Sequence, residues 1–258
     1  MGKIKIFIDP GHGGRDPGSV ANGMRESDIA LDVSLELERL LIAAGLKVRL
    51  SRRSDVATSI DRRWQEANAW GADLFVSVHG NGFTNADANG TEVFIFDNGS
   101  KRAQQSRKLA NILLSSFVTQ RGTRNRGVRL DGQSQHSGGL GVLRNTVMPA
   151  VLFESAFLTA GAHAPDVYIL RNRRNEMAAS LADGIFKYLN INPNVSVEKD
   201  DEVEEMRFQK IEEMPSWAVS TVEKLSKKGH LRGIGDDKDL SLDMLRLLVI
   251  NDRAGLFD

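Results

Sequence analysis

Short apolar segments alternate with longer amphipathic ones through the first 190 residues of the chain. In the segment 26–44, Val33, Leu37 and Leu41 recur at helical spacing, and Gly45 follows where a helix would end. The pattern predicts helices over residues 26–44, 60–70, about 101–119 and 166–189, and strands over 3–8, 46–50, 74–78, 92–96 and 150–153. This alternation is typical of an α/β domain with a central, mostly parallel twisted sheet flanked by helices.

The composition changes after residue 192, which we take as the end of this first domain (1–192). Residues 198–205 contain six acidic residues and one lysine, so we interpret 193–206 as a solvated acidic linker. Helices are predicted over 215–228 and 240–251, making a small all-α C-terminal domain over 207–258. A domain of this size is near the lower limit for an independent core, so we expect exposed leucines there to seek a partner.

Charge and composition exclude several classes of function. The 258 residues contain no cysteine, so any metal must be held by His, Asp or Glu. No apolar run reaches the roughly 18 residues of a membrane span, which argues against membrane insertion. Residues 1–192 carry 24 basic and 19 acidic side chains, whereas 193–258 carry 10 and 15. The mild positive charge of the first domain suits an anionic polymer but is too weak for a nucleic-acid surface.

Two histidines follow predicted core strands in a similar way. Residues 9–14 read Asp-Pro-Gly-His-Gly-Gly, and residues 77–80 read Ser-Val-His-Gly, so His12 and His79 each lie in a glycine-containing turn. Loops at the carboxyl ends of strands are where open α/β sheets bind ligands. The glycine-rich turn could also cradle a phosphate, or be only a tight turn. The repetition of the histidine favours a pair of metal ligands.

Two glutamates complete this pattern. Glu26 begins the first predicted helix and can turn toward the same edge as the histidines, although an acid at a helix N-terminus is also ordinary. Two histidines and one carboxylate leave a fourth zinc position for water, whereas Mg²⁺ and Ca²⁺ prefer oxygen ligands. Glu154 follows the apolar segment 149–153, where a solvated acid is unexpected, and could serve as a general base. The set predicts metal-assisted hydrolysis of an amide or ester.

These residues lie in motifs that resemble the amidase-3 family of zinc-dependent N-acetylmuramoyl-L-alanine amidases, which includes bacterial autolysins and phage endolysins. The matching segments are 8–14, 25–26, 51–52, Arg62 with 67–68, 72–81, 127–128, 142–144 and 149–158. They occur in family order over residues 3–190. The resemblance implies a zinc exopeptidase-like fold and hydrolysis of the bond between N-acetylmuramic acid and L-alanine in peptidoglycan.

The resemblance also implies a role for each site residue. His12, Glu26 and His79 would bind one zinc ion, and Glu154 would be the catalytic acid/base. Arg144 matches an arginine that lines the site in the family; in this chain it would assist catalysis, bind a substrate carboxylate, or form only a surface ion pair.

Three other interpretations remain open from the sequence. The chain could be a zinc peptidase or deacetylase with the same metal chemistry, or a non-catalytic wall-binding module. For the C-terminal domain we expect cell-wall targeting, through a wall polymer, assisted by homodimer formation. The N-terminus begins directly with a predicted strand and lacks the layout of a signal peptide. We therefore expect a protein made in the cytoplasm that reaches the wall after release by a phage holin, through holes in the membrane, or by mother-cell lysis.

Overall fold

In this computed structural model the described residues are 3–134 and 139–192, with 207–208, 210–214, 216–228, 231, 240–241, 245 and 248 in the C-terminal part. The chain divides into two compact units, Met1–Val197 and Glu198–Asp258. The predicted acidic linker over 193–206 lies outside the described residues.

A six-stranded sheet forms the centre of the N-terminal unit. Its strands are β1 (Lys5–Pro10), β4 (Lys47–Leu50), β5 (Leu74–Asn81), β6 (Thr91–Ile95), β7 (Asn125–Leu130) and β8 (Ala150–Phe157), beside a small hairpin of β2 (Val20–Ala21) and β3 (Met24–Arg25). The order across the sheet is β4-β1-β5-β8-β6-β7. All neighbouring pairs are parallel except β6 with β8. This confirms the predicted mostly parallel sheet.

Helices cover both faces of this sheet. They are α1 (Glu26–Ala43), α2 (Ile60–Trp70), α3 (Lys101–Arg121), α4 (Gly141–Asn145), α5 (Pro165–Asn172) and α6 (Arg174–Leu189). Alternate residues of β1 face opposite layers: Ile6 and Ile8 belong to the core that includes residues of α1, α3 and α6. Phe7 belongs to the core that includes residues of α2 and α4, and its ring stacks on Phe75 at 5.8 Å. Burial on both faces explains why the central strands are almost continuously apolar.

The helix ends follow the predicted local chemistry. The Ser100 hydroxyl accepts a hydrogen bond from the amide of Ala103 at the start of α3. Gly71 ends α2 with φ of 67°, a left-handed conformation that glycine adopts without steric cost. These ends set the lengths of the connections that return the chain to the sheet.

The prediction of one helix over 166–189 is wrong, because the helix breaks at Arg173. Arg173 has φ of −129° and ψ of 32°, and α5 ends where α6 begins. The Arg174 Nε donates to the carbonyl of Leu170 at 2.8 Å, a carbonyl that a continuous helix would bond through the Arg174 amide. The apolar spacing continues across the break, so the sequence pattern alone does not show it.

The C-terminal unit contains strands as well as a helix. Helix α7 (Ser216–Lys227) confirms one predicted helix, whereas β9 (Arg207–Phe208) pairs antiparallel with β10 (Leu240–Ser241). The unit is therefore not all-α. The predicted start at Leu240 of the helix over 240–251 is wrong, although residues 245 and 248 within that range are helical. Leu245 is buried in the unit's own small core and Leu225 is also buried, so these two leucines are not exposed as expected. None of the described helices has the length and apolarity needed to cross a membrane.

Candidate functional site

The three predicted metal ligands meet at one edge of the central sheet. His12 lies in the turn after β1, Glu26 is the first residue of α1, and His79 lies on β5. The Glu26 Oε1 atom is 2.9 Å from His12 Nε2 and 2.8 Å from His79 Nδ1. One potential ligand atom from each residue lies within 4.8 Å of the other two. The structure therefore brings together residues separated by up to 67 positions in a geometry that could hold a metal ion.

Two arginines hold the turn that carries His12. Arg52 Nη2 donates to the carbonyl of Gly11 at 2.6 Å, and Arg63 Nη2 donates to that of His12 at 2.7 Å. Arg63 also forms a buried ion pair with Asp9 at 2.7 Å. Neither arginine was predicted from the sequence to have a role at the site. Their function follows from contacts between distant segments, which local pattern does not reveal.

The glycines of this turn are required by space and conformation. A Cβ atom at Gly11 would lie 2.2 Å from the His79 ring, and Gly13 has φ of 121°. A side chain at residue 11 would therefore displace a predicted ligand. His12 itself has φ of 58°, an uncommon left-handed conformation that aims its ring at Glu26.

The same turn does not offer a phosphate cradle. The amides of Gly11, Gly13 and Gly14 donate to Val78 O, Asp16 O and Asp55 Oδ1, respectively. A phosphate loop needs such amide groups free to bind oxygen atoms of the ligand. The phosphate interpretation of the glycine-rich segment is therefore not supported.

Charges at the cluster favour an anionic Glu26. Burial opposes ionisation, but the hydrogen bonds and positive charge of His12 and His79 hold the pKa of Glu26 well below its usual range. Burial would likewise lower the pKa of His12, yet hydrogen bonds to Glu26 and Asp16 outweigh it and raise that pKa above its ordinary value. Asp16 Oδ2 lies 2.8 Å from His12 Nδ1, on the opposite side of the ring from Glu26. The carboxylate of Asp16 thus orients the imidazole ring through its Nδ1 atom, which leaves Nε2 facing Glu26.

Glu154 lies beside this cluster on the neighbouring strand. It is the register partner of His79 across β5 and β8, and of Glu92 across β8 and β6. Its Oε2 atom is buried and has no hydrogen-bond partner among the described residues. Burial, and then the negative charges of Glu26 and Glu92, raise the pKa of Glu154 well above its usual value. A carboxyl group in this state is suited to holding and releasing a proton.

A cavity of about 710 Å³ connects these groups. His12, Glu26, His79 and Glu154 line it together with further charged residues that were not predicted from the sequence, among them Glu92, Arg126 and Arg129. Glu92 could have been found from the sequence, because it is an acidic residue in the otherwise apolar segment 92–96. The same kind of signal drew attention to Glu154. The two arginines lie on β7, which was not predicted because only two of its residues, Val128 and Leu130, are apolar.

Arg144 is placed differently from the other predicted site residues. It lies on α4, is not among the described residues that line the cavity, and pairs with Asp131. Its guanidinium also lies 5.8 Å from the centre of the Phe96 ring. This position fits the ion-pair interpretation, and a role in catalysis stays a prediction.

Comparison with known proteins gives a consistent family. Residues 6–187 match the Amidase_3 family model, described as N-acetylmuramoyl-L-alanine amidase. The chain is 34% identical to N-acetylmuramoyl-L-alanine amidase LytC of Bacillus subtilis over 71% of its own length, and spans about a third (35%) of that relative. It is 33% identical to the endolysin of Bacillus phage SPP1, with 74% of this chain and 68% of the relative covered.

A solved structure shares the fold of the N-terminal unit. The catalytic domain of CwlV, an N-acetylmuramoyl-L-alanine amidase from Bacillus (Paenibacillus) polymyxa, matches with a TM-score of 0.64 and 30% identity. The match covers 73% of this chain and 99% of that domain. The comparison therefore concerns the unit that carries the histidines and glutamates, and leaves the C-terminal unit outside it.

Proposed function

Because this chain belongs to the Amidase_3 family of N-acetylmuramoyl-L-alanine amidases, we propose that it is a zinc-dependent peptidoglycan hydrolase. It cleaves the amide bond between N-acetylmuramic acid and L-alanine. The observation that carries this proposal is the meeting of His12, Glu26 and His79 beside the unpartnered carboxyl oxygen of Glu154.

The donor set fits a zinc ion. Two imidazole nitrogens face one carboxylate oxygen at 2.8 and 2.9 Å, and Glu26 is held in its anionic form. Zinc accepts nitrogen and oxygen ligands of this kind and keeps an open position when only three protein ligands bind it. Mg²⁺ and Ca²⁺ prefer oxygen ligands throughout, so two histidines disfavour them. We assign His12, Glu26 and His79 as the residues that hold zinc.

The chemistry follows from the position of Glu154 next to this cluster. When bound, zinc would polarise the scissile carbonyl and lower the pKa of a nearby water to about 7. Glu154 takes a proton from the attacking water as the new C–O bond forms, and gives that proton to the alanine nitrogen as the C–N bond breaks. The products are a free muramic carboxyl group and a peptide with an L-alanine amino terminus.

A product assay tests this reaction against its alternatives. Digestion of purified peptidoglycan should release L-alanine amino termini without new reducing sugar, and a chelator should stop the release. A peptidase would expose a different amino-terminal residue, and a deacetylase would release acetate. A non-catalytic wall-binding module would release nothing. Such a module would also not require Glu154 beside the ligand cluster.

Asp16 should strengthen metal binding without being a ligand. Its carboxylate oxygen Oδ2 lies 2.8 Å from His12 Nδ1, the ring nitrogen that faces away from Glu26, and thereby orients the imidazole ring. Partners of this kind typically contribute about 10–100-fold to metal affinity. An Asp16→Asn variant should therefore lose zinc to a competing chelator at about 10–100-fold lower chelator concentration than the wild type.

The matched control for this variant is Asp97→Asn. Asp97 is a carboxylate that pairs with Arg107 outside the cavity lining. Zinc competition by Asp97→Asn should match that of the wild type. Equal zinc affinity in the Asp16→Asn and wild-type proteins would refute the orienting role.

For the C-terminal unit we propose cell-wall targeting assisted by self-association. The unit has a small core of its own, which includes Met214, Ala218 and Val222. Residues 193–258 carry more acidic than basic side chains, which disfavours direct binding to an anionic wall polymer and favours recognition of neutral sugar. The similarity to a phage endolysin supports action on the wall after release from the cell.

Deletion of residues 195–258 should separate targeting from catalysis. The remaining unit should cleave soluble muropeptide fragments at the wild-type rate, because all residues that line the cavity lie between 9 and 157. Lysis of intact cells should fall, since the enzyme no longer concentrates at its polymer substrate. Turbidity loss of whole cells and fragment hydrolysis, measured in parallel, give the two rates. Undiminished whole-cell lysis, with a monomeric full-length protein, would exclude both proposed roles.

A further inference from the structure

The cavity wall formed by β6 and β7 carries charged groups that the proposed mechanism does not use. Glu92 is buried on β6, and its Oε2 atom accepts from Arg126 Nε at 3.0 Å and lies 2.7 Å from Arg129 Nε. Its Oε1 atom accepts from Asn81 Nδ2 at 2.7 Å. All four of these residues line the cavity. One carboxylate thus organises two guanidinium groups toward the same space.

These contacts leave an excess of positive charge and, within the described ranges, guanidinium nitrogens without a partner. Glu92 balances one of the two guanidinium charges, so this wall of the cavity keeps one positive charge in excess. Arg126 is fixed further by a contact with the Phe157 ring at 4.8 Å and a hydrogen bond from Nη1 to the carbonyl of Asn89. Among the described residues, Arg129 has Glu92 as its one polar partner, through Nε, and its two terminal nitrogens have none.

We propose that Arg126 and Arg129 form a binding subsite for a carboxylate group of the peptide that is released as a product. The inference rests on the proposed amidase function and names the part of the substrate that the cavity recognises. Arginine suits this role because its planar group can donate two parallel hydrogen bonds to one carboxylate. The preformed contact with Glu92 holds both arginines in place before substrate binds.

The chemistry of the two sides of the scissile bond supports the peptide as the ligand. On the sugar side, the muramic carboxyl group is itself the acyl part of the amide and N-acetyl groups are neutral. Negative charge in the substrate therefore lies on the peptide side. A cationic subsite facing the cavity would attract that side and orient the substrate across the metal ligands.

The sheet order sets how far this carboxylate lies from the scissile bond. Glu154 on β8 is two strands from β7, and neighbouring strands are about 4.8 Å apart, which gives roughly 10 Å. An extended peptide advances about 3.5 Å per residue. The carboxylate that binds should therefore belong to the second or third residue, counted from the L-alanine.

Binding of synthetic product peptides tests the subsite without requiring turnover. Three peptides begin with L-alanine and end in an amide: one has a carboxylate on the second residue, one on the third, and one has none. Titration calorimetry measures their affinity for the zinc-loaded full chain and its Arg129→Met variant. Arg107→Met is the matched control, because Arg107 also pairs with a carboxylate but does not line the cavity.

We expect the wild type to bind one of the charged peptides about 10–100-fold more tightly than the neutral one, as for a hydrogen bond to a charged group. Arg129→Met should abolish this preference without changing the affinity for the neutral peptide, and Arg107→Met should retain it. Zinc content and thermal unfolding should be the same in all three proteins.

Two results would overturn the subsite. One is a wild type without preference for either charged peptide; the other is equal weakening of all three peptides by Arg129→Met, which would indicate a structural role. The proposed amidase function fails separately. If the charged peptide is preferred but peptidoglycan is not cleaved, the subsite stands and the reaction does not.

Discussion

Replacing His79 by alanine should produce a folded protein that no longer retains zinc and no longer releases L-alanine amino termini from peptidoglycan. His79 Nδ1 is 2.8 Å from Glu26 Oε1, the same carboxylate oxygen that lies 2.9 Å from His12 Nε2. Removing the imidazole leaves only two of the three donors, too few to hold zinc against water or a chelator. Activity should fall to the chelator-treated background, because both carbonyl polarisation and water activation depend on the metal.

The measurement is zinc per chain by elemental analysis, together with the rate of peptidoglycan hydrolysis. His163→Ala is the matched control, since His163 is exposed and is not among the described residues that line the cavity. It should retain one zinc per chain and the wild-type rate. A full zinc content in His79→Ala would show that the ligand assignment is wrong. Circular dichroism of both variants establishes that the loss does not come from unfolding.

A Glu154→Gln variant should behave differently, keeping its zinc and losing its turnover. The amide has nearly the size of the carboxyl group but cannot accept and release a proton at neutral pH. General acid/base catalysis typically contributes about 10²–10⁴-fold, so kcat should fall by that factor while zinc content is unchanged. Because Glu154 Oε2 has no hydrogen-bond partner among the described residues, the substitution should preserve stability.

Single-turnover hydrolysis of a soluble muropeptide measures this loss. Glu66→Gln provides the control, because Glu66 is a glutamate on α2 that pairs with Arg62 outside the cavity lining. Its rate should equal that of the wild type. If Glu154→Gln retained more than half of the wild-type rate, the proton-transfer role would have to move to another residue.

Much of the fold was accessible from the sequence because it depends on local properties. The apolar runs of β1, β5 and β8 and the caps at Ser100 and Gly71 reflect side-chain periodicity and turn chemistry within a few residues. Similarly, a histidine in a glycine turn after a core strand can be recognised within one short segment. Since parallel strands end at a common edge, two such turns and the carboxylate at the start of α1 were expected to converge, and the structure brings them together.

Other features depend on contacts between segments far apart in the chain. The helix break at Arg173 follows from a side-chain bond to a carbonyl, which leaves the apolar spacing intact. Arg144 carries a family motif, yet its position is decided by Asp131, thirteen residues earlier. Neither contact can be predicted from periodicity, because both depend on side-chain hydrogen bonds rather than on which residues are apolar.

Short stretches of chain are enough to predict the alternating strands and helices, the histidine turns and the glutamates beside them, because each is encoded locally. The tertiary structure alone decided the order of the strands and the antiparallel placement of β6 next to β8. That order puts Glu92 opposite Glu154 and brings Arg126, 34 residues further along, into the same cavity. Strand pairing depends on burial and hydrogen bonding over the whole sheet. A polar edge strand such as β7 therefore carries no local sequence pattern from which its partner could be predicted.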